Sequence, residues 1–190
     1  MKKSSRIVIF GLMVLGIIIA GGLIPSSATE ISELGFTPSG WIGDYEGIKF
    51  SDTYSDPERG PCIRIDYPAN GSEGAWVGIY WLFPSSNWGE LPGKNVEGYK
   101  SVTFFARGEV GGEEAEFMVG GVDAGEANKD SIQPPRSTVP KISILKKDWE
   151  KYEIDLSGLD LSRVIGGFCW VTDMGDKAAK IYLDDINYIK

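Results

Sequence analysis

The chain has 190 residues, with 19 basic and 27 acidic side chains, 25 glycines, 6 Trp, 8 Tyr, 8 Phe, two cysteines and no histidine. Without histidine there is no Ser-His-Asp or Cys-His nucleophile and no imidazole-built zinc, copper or iron site, and two cysteines cannot form a four-cysteine metal centre. A net charge of −8 with no basic stripe argues against nucleic acid, leaving carboxylate chemistry, carboxylate-held hard cations and binding through aromatic rings.

Residues 1–28 read as a leader. Lys2, Lys3 and Arg6 precede 18 uncharged residues, Ile7 to Ile24, and Pro25 with Ser26-Ser27-Ala28 fits signal-peptidase cleavage after Ala28. The apolar run is also long enough to span a bilayer, so an uncleaved anchor is the second reading. No cysteine follows it to carry a lipid. Both readings export the remainder, either secreted or held at the outer face of the cytoplasmic membrane. The leader holds three basic and no acidic residues, so residues 29–190 carry 16 basic and 27 acidic ones, a net of −11. That balance favours cations and disfavours polyanions. We expect residues 29–40 to be a linker and 41–190 to be a single domain, a monomer in solution.

Short alternating or β-branched and aromatic runs, punctuated by Gly, Pro, Asn, Asp and Ser, predict strands in chain order. They fall near 46–52, 62–68, 75–82, 99–107, 114–122, 141–145, 149–156, 165–172 and 180–189. One helical turn is allowed at Ser157–Arg163. This spacing predicts an all-β, two-sheet antiparallel sandwich of jelly-roll type. Alternation puts Val77, Ile79 and Trp81 on one face and Trp76, Gly78 and Tyr80 on the other; likewise Phe117 and Val119 oppose Glu116 and Met118. The aliphatic sets belong in the core, which leaves Trp76 and Tyr80 on an outer sheet face. Two connections are unusually long: 83–98, where Trp88 points to function, and 123–140, with two consecutive prolines, which is either functional or disordered. Cys62 and Cys169 are either one long-range disulfide or two buried thiols. Asn70-Gly71-Ser72 matches a glycosylation acceptor and marks an exposed turn.

Trp149-Glu-Lys-Tyr152-Glu-Ile-Asp-Leu156, Val164-Ile-Gly-Gly-Phe-Cys-Trp170, Ile181-Tyr-Leu-Asp-Asp-Ile186 and Tyr99-Lys-Ser-Val-Thr-Phe-Phe-Ala-Arg-Gly108 occur in an order similar to noncatalytic carbohydrate-binding modules of the galactose-binding-like jelly-roll type. The resemblance covers most of 41–190. It implies a glycan lying across a concave sheet and a structural calcium. Asp184-Asp185 matches a position that helps hold the ion, with Asp44, Glu46, Asp52 and carbonyls of Ser55–Gly60 as further donors; the metal set is then Asp44, Asp52, Asp184 and Asp185. For sugar contact the candidates are Trp76, Tyr80, Trp88 and Trp170, because pyranose C–H faces stack on aromatic rings. Glu116, Asn87, Arg107 and Asp123 are candidate hydroxyl partners. Trp81 is expected in the core and Trp149 between the sheets; Trp170 fits either core or cleft, and Trp41 is unassigned.

Three functions follow. The leading one is an exported, noncatalytic glycan-binding module. The second is an envelope structural or adhesive domain with a protein partner. The third is a small glycosidase or lyase using two carboxylates from among Glu113, Glu114, Glu116, Asp123, Asp184 and Asp185, none of which stands in a recognisable acid/nucleophile motif.

Overall fold

The structure, a computed structural model, describes residues 27–68, 76–173 and 177–190. The apolar run of the leader and the Asn70 triplet lie outside the described residues. Eleven strands form among those described: β1 (Ala28–Glu30), β2 (Thr37–Gly43), β3 (Lys49–Asp56), β4 (Gly60–Tyr67), β5 (Val77–Leu82), β6 (Ser101–Gly108), β7 (Glu114–Val119), β8 (Arg136–Ile144), β9 (Glu150–Asp155), β10 (Gly166–Thr172) and β11 (Ala179–Ile189). They pair antiparallel in two sheets, β3-β4-β11-β6-β9 with β1 added on β11, and β2-β5-β10-β7-β8. This is the two-sheet sandwich that the strand spacing predicts. Ser157–Arg163 forms turns rather than a helix, since its Ser, Gly and Asp residues favour local side-chain-to-backbone bonds such as Ser157 N–H to Asp155.

The core lies between the sheets and is aromatic. Phe104 packs 4.7 Å from Phe117 and 5.0 Å from Phe168, and Trp81 packs 5.3 Å from Phe168, centroid to centroid. Val77, Ile79, Trp81, Phe117 and Val119 all face this core, as their alternation requires. Each such side chain contributes roughly 1.5–3 kcal/mol on burial.

Residues 29–40 are not a linker. Ala28, Thr29 and Glu30 pair with Ile189, Tyr188 and Asn187, and β2 forms an edge of the five-stranded sheet along β5. Between them Phe36 is fully buried, stacked on Tyr188 at 6.0 Å. Gly167 makes that burial possible: a Cβ there would lie 2.5 Å from the Phe36 ring. The polar, glycine-broken composition of this stretch hides two short strands whose partners are far away in sequence.

β11 is shared along its length. Ala179–Leu183 pair with β4, and beyond a register shift at Asp184/Asn187 the slot beside it passes to β1. The Lys190 N–H reaches the Ser27 carbonyl at 3.3 Å, so residues 27 and 190 leave the sandwich together. The two cysteines are buried and free, Cys62 on the six-stranded sheet and Cys169 on the five-stranded one.

Candidate functional site

The outer face of the five-stranded sheet is organised in cross-strand rows. One row runs Gly40, Tyr80, Cys169, Met118, Ser137. The next runs Ile42, Gly78, Val171, Glu116, Ile142, crossing all five strands over about 19 Å. Within it Gly78, on β5, has no room for a side chain; a Cβ would sit 2.9 Å from Val171 Cγ2 and 3.0 Å from Ile42 Cδ1, so these two close over the glycine. Beyond this row come Trp76, Asp173 and the Glu114–Ile144 pair. Trp76, Glu114, Glu116, Ile142, Val171 and Asp173 surround a cavity of about 280 Å³.

The first row is roofed. Tyr80, Leu82, Met118, Val122, Ile165 and Cys169 form a second apolar cluster, with Trp88 laid against it. Trp88 comes from the 83–98 connection, which is wound around one buried side chain. Asn87 donates to the Phe83 and Leu91 carbonyls at 3.0 and 2.9 Å and accepts from the Gly89 and Leu91 N–H groups, both at 3.0 Å. The neighbouring loop is tied to it where the Asn128 N–H bonds the Gly89 carbonyl at 2.9 Å. That loop is pinned in turn by buried Asp130, whose carboxylate accepts from the N–H groups of Ile165 (2.6 Å), Val122 (2.8 Å) and Gly166 (3.2 Å). Burial pushes the Asp130 carboxyl up to about 6, the three N–H donors opposing it.

The four aromatic candidates therefore separate. Trp76 is open, 44% exposed, at the margin of the transverse trough. Tyr80 faces outward as alternation predicts but is only 8% exposed beneath Trp88; its burial and the adjacent Cys169 raise its hydroxyl pKa. Trp88 is half-buried, packed over the first row. Trp170 is corrected: it shares the inward face with Phe168, is wholly buried in the core, and cannot touch a ligand. Trp41 packs edge-on against Phe50 at the sandwich margin.

Of the candidate hydroxyl partners only Glu116 stands in the trough, accepting from Ser137 Oγ at 2.9 Å and pairing with Lys141 at 3.4 Å. Asn87 is consumed by its own loop, Asp123 pairs with Lys129 at 3.6 Å, and Arg107 lies on the opposite sheet against Asp56 at 2.8 Å. Trp149, expected between the sheets, instead lies on the outer face of the six-stranded sheet, where its Nε1–H points to Asp56 at 3.3 Å and the Arg59 and Arg107 guanidinium groups pack against its ring. The aliphatic residues Ile42, Ile142 and Ile144 escape sequence reasoning about sugar contact, as does Asp130; their only signal is strand parity, and Asp130 has none.

Of the residues expected around calcium, Asp52, Asp184 and Asp185 border one cavity and Asp44 does not. Asp184 and Asp185 are both ion-paired to Arg59. Asp52 and Glu30 line one cavity with them, and Asp44 sits apart, next to Trp76, its backbone N–H on the Trp76 carbonyl at 2.9 Å. Among the described residues no group of three or more His, Cys, Asp or Glu side chains is placed to hold a metal ion. The donor set does not fit the ion that the resemblance implies.

The fold is similar to that of a family 11 carbohydrate-binding module of a cellulosomal cellulase of Clostridium thermocellum, with TM-score 0.53 and 17% identity over 88% of this chain and 96% of that one. A family 11 module from the same organism, solved in complex with a beta-1,3-1,4-mixed-linked tetrasaccharide, aligns with TM-score 0.52 and 18% identity over 85% and 94%. At such identities the likeness establishes the fold, the jelly-roll sandwich of carbohydrate-binding modules. No protein-family model matches the chain, and no curated protein matches it.

Proposed function

We propose that this chain is an exported, noncatalytic module that lays a neutral polysaccharide across the five strands of its outer trough. The observation that carries the reading is Trp76, a large aromatic left open beside a cavity lined from β7, β8 and β10. A pyranose would stack on the Trp76 indole, and its hydroxyls would donate to the carboxylates of Glu114, Glu116 and Asp173. Those carboxylates, with a net charge of −11 over residues 29–190, disfavour uronate or sulfated chains. The leader supports export, and both readings of it place the trough outside the cytoplasm.

Binding without catalysis is favoured by how the carboxylates are engaged. Glu113 is buried and accepts the Val110 N–H at 3.0 Å, Glu116 is tied to Ser137 and Lys141, and Asp184 and Asp185 belong to Arg59.

Titration calorimetry with mixed-linked beta-1,3-1,4-glucan as first probe tests the proposal, beside other neutral glucans and mannans and a polygalacturonate control. We expect a neutral glycan to bind and Trp76→Ala to lose about 5- to 30-fold in affinity, because an aromatic stacking contact of this size is worth about 1–2 kcal/mol. Normal binding by the variant, or no binding of any neutral glycan, sinks the reading.

A further inference from the structure

On the six-stranded sheet, the register shift at Asp184/Asn187 turns two consecutive carboxylates toward one point. Asp185 has a φ of 50°, and its N–H bonds Asp184 Oδ1 at 2.9 Å, which holds the bend. Two adjacent carboxylates at a bend repel unless a cation lies between them. We propose that Arg59 is the resident cation of this bend, and that it ties the β3–β4 hairpin to the last strand without calcium.

The arrangement around Arg59 is built rather than incidental. Its Nε–H donates to Asp184 Oδ2 at 2.5 Å and its Nη2 group donates to Asp185 Oδ2, a fork across both carboxylates. The guanidinium lies 3.8 Å from the centroid of the Phe105 ring and 5.4 Å from that of Trp149. Its backbone is set by the hairpin turn, in which Asp56 Oδ1 accepts from the Glu58 and Arg59 N–H groups at 2.9 and 3.2 Å. Asp56 is itself gripped by Arg107 and by the Trp149 indole. Turn, ring and second arginine thus pre-position one side chain on two acids of a strand more than a hundred residues away.

A calcium ion needs six to eight oxygens. Here the two best placed carboxylates already bond a cation, whose own charge repels a divalent ion. Asp52 and Glu30 share a cavity with them, and among the described residues no group of three or more such side chains is placed to hold a metal ion; Asp44 stands at Trp76, which its backbone N–H bonds. The proposal stands apart from the glycan reading, since it concerns the other sheet and is measured without ligand.

Thermal unfolding of the purified full chain, in millimolar calcium chloride and in EDTA, tests it. We expect the two midpoints to agree within about 1 °C, whereas an occupied site would shift them by several degrees. Arg59→Ala is expected to lower the midpoint by about 4–8 °C in EDTA. Arg59→Lys keeps the charge without the fork, so it should fall by less and remain indifferent to EDTA; it carries the comparison if the alanine variant does not fold. A wild-type midpoint raised by more than about 3 °C in calcium overturns the proposal, as does an Arg59→Ala variant that melts with wild type.

Discussion

The edge of Trp88 rests on Tyr80, with ring centroids 5.8 Å apart and planes inclined at 73°. The contact converts one outward-facing row of the sheet into a covered one, and the cavity beside Trp76 lies past it, around Val171, Glu116 and Ile142. Trp76 and Trp88 are therefore separable by experiment. Trp76→Ala should weaken glycan binding and leave the unfolding midpoint within about 1 °C, because the ring is 44% exposed and belongs to neither packed cluster. Trp88→Ala should lower the midpoint by several degrees by uncovering Tyr80 and Met118. Calorimetry and thermal unfolding on the same two preparations decide it; equal behaviour of the two variants contradicts this division.

Trp170 gives the opposite control. Truncation to alanine opens a cavity in the packed centre, at a cost of about 3–5 kcal/mol. Denaturant titration should show this loss whether or not a glycan is present. If Trp170→Ala were fully stable and only binding-defective, its assignment to the core would be wrong.

Glu116 is expected to contribute polarity rather than chemistry. Glu116→Gln keeps the size and one acceptor oxygen but removes the charge that Lys141 faces. A loss of about 3–10-fold in affinity is expected, in line with one hydrogen bond weakened by loss of charge. Unchanged affinity would move the glycan away from the Val171–Glu116–Ile142 side of the trough.

Two buried carboxylates give the fold opposing responses to pH. Asp130, raised to about 6, binds a proton more tightly folded than unfolded. Its stabilisation is complete below the ordinary carboxyl value of 3.8 and is lost as pH rises through about 6, on the order of 3 kcal/mol. For Asp56, burial alone would raise the carboxyl, but Arg107, the Glu58 and Arg59 N–H groups and Trp149 together bring it to about 2. That stabilisation is present above 3.8 and disappears as pH falls through about 2. Unfolding free energies from urea titrations between pH 2 and 7 should therefore peak near pH 4. Asp130→Asn should flatten the upper limb and leave the lower one; an unaltered upper limb would assign that slope to other groups.

The thiols yield a simpler expectation. Burial raises Cys62 to about 11 and Cys169 well above its ordinary range, and the two stand on different sheets. A thiol reagent should react with neither in the folded protein at neutral pH and with both after unfolding. A mass shift of two hydrogens on reduction would reveal a disulfide and contradict the observed separation.

The alternation of Val77 to Leu82 and of Glu116 to Val119 made core and outer faces legible, because period two is a local property of the chain. What parity leaves open is cover. Tyr80 points outward as its position requires, yet it is buried by a tryptophan eight residues on, in a loop whose path depends on Asn87, Asn128 and Asp130. Trp170 had the reverse ambiguity: it faces inward, and only the pairing with Phe117 and Ile79 shows it. β1 and β2 were illegible for a related reason. Thr29, Pro38, Ser39 and Gly40 carry no strand signal of their own and are extended because β11 and β5 offer them unpaired edges. The acidic bend at Asp184-Asp185 could be read as half of a cation site, but not that the cation is an arginine supplied by the turn at Pro57–Gly60.

The joint exit of residues 27 and 190 beside Tyr188 has a practical consequence. Tyr188 donates to the Gly167 carbonyl at 2.7 Å, at the end of the sandwich where β5 finishes; Trp76 precedes the start of β5, about 20 Å away along the strand. A membrane, a resin or a fused partner attached through either residue meets the same pole and leaves the opposite one free. A support joined at either residue would therefore stand at the end of the sandwich remote from Trp76.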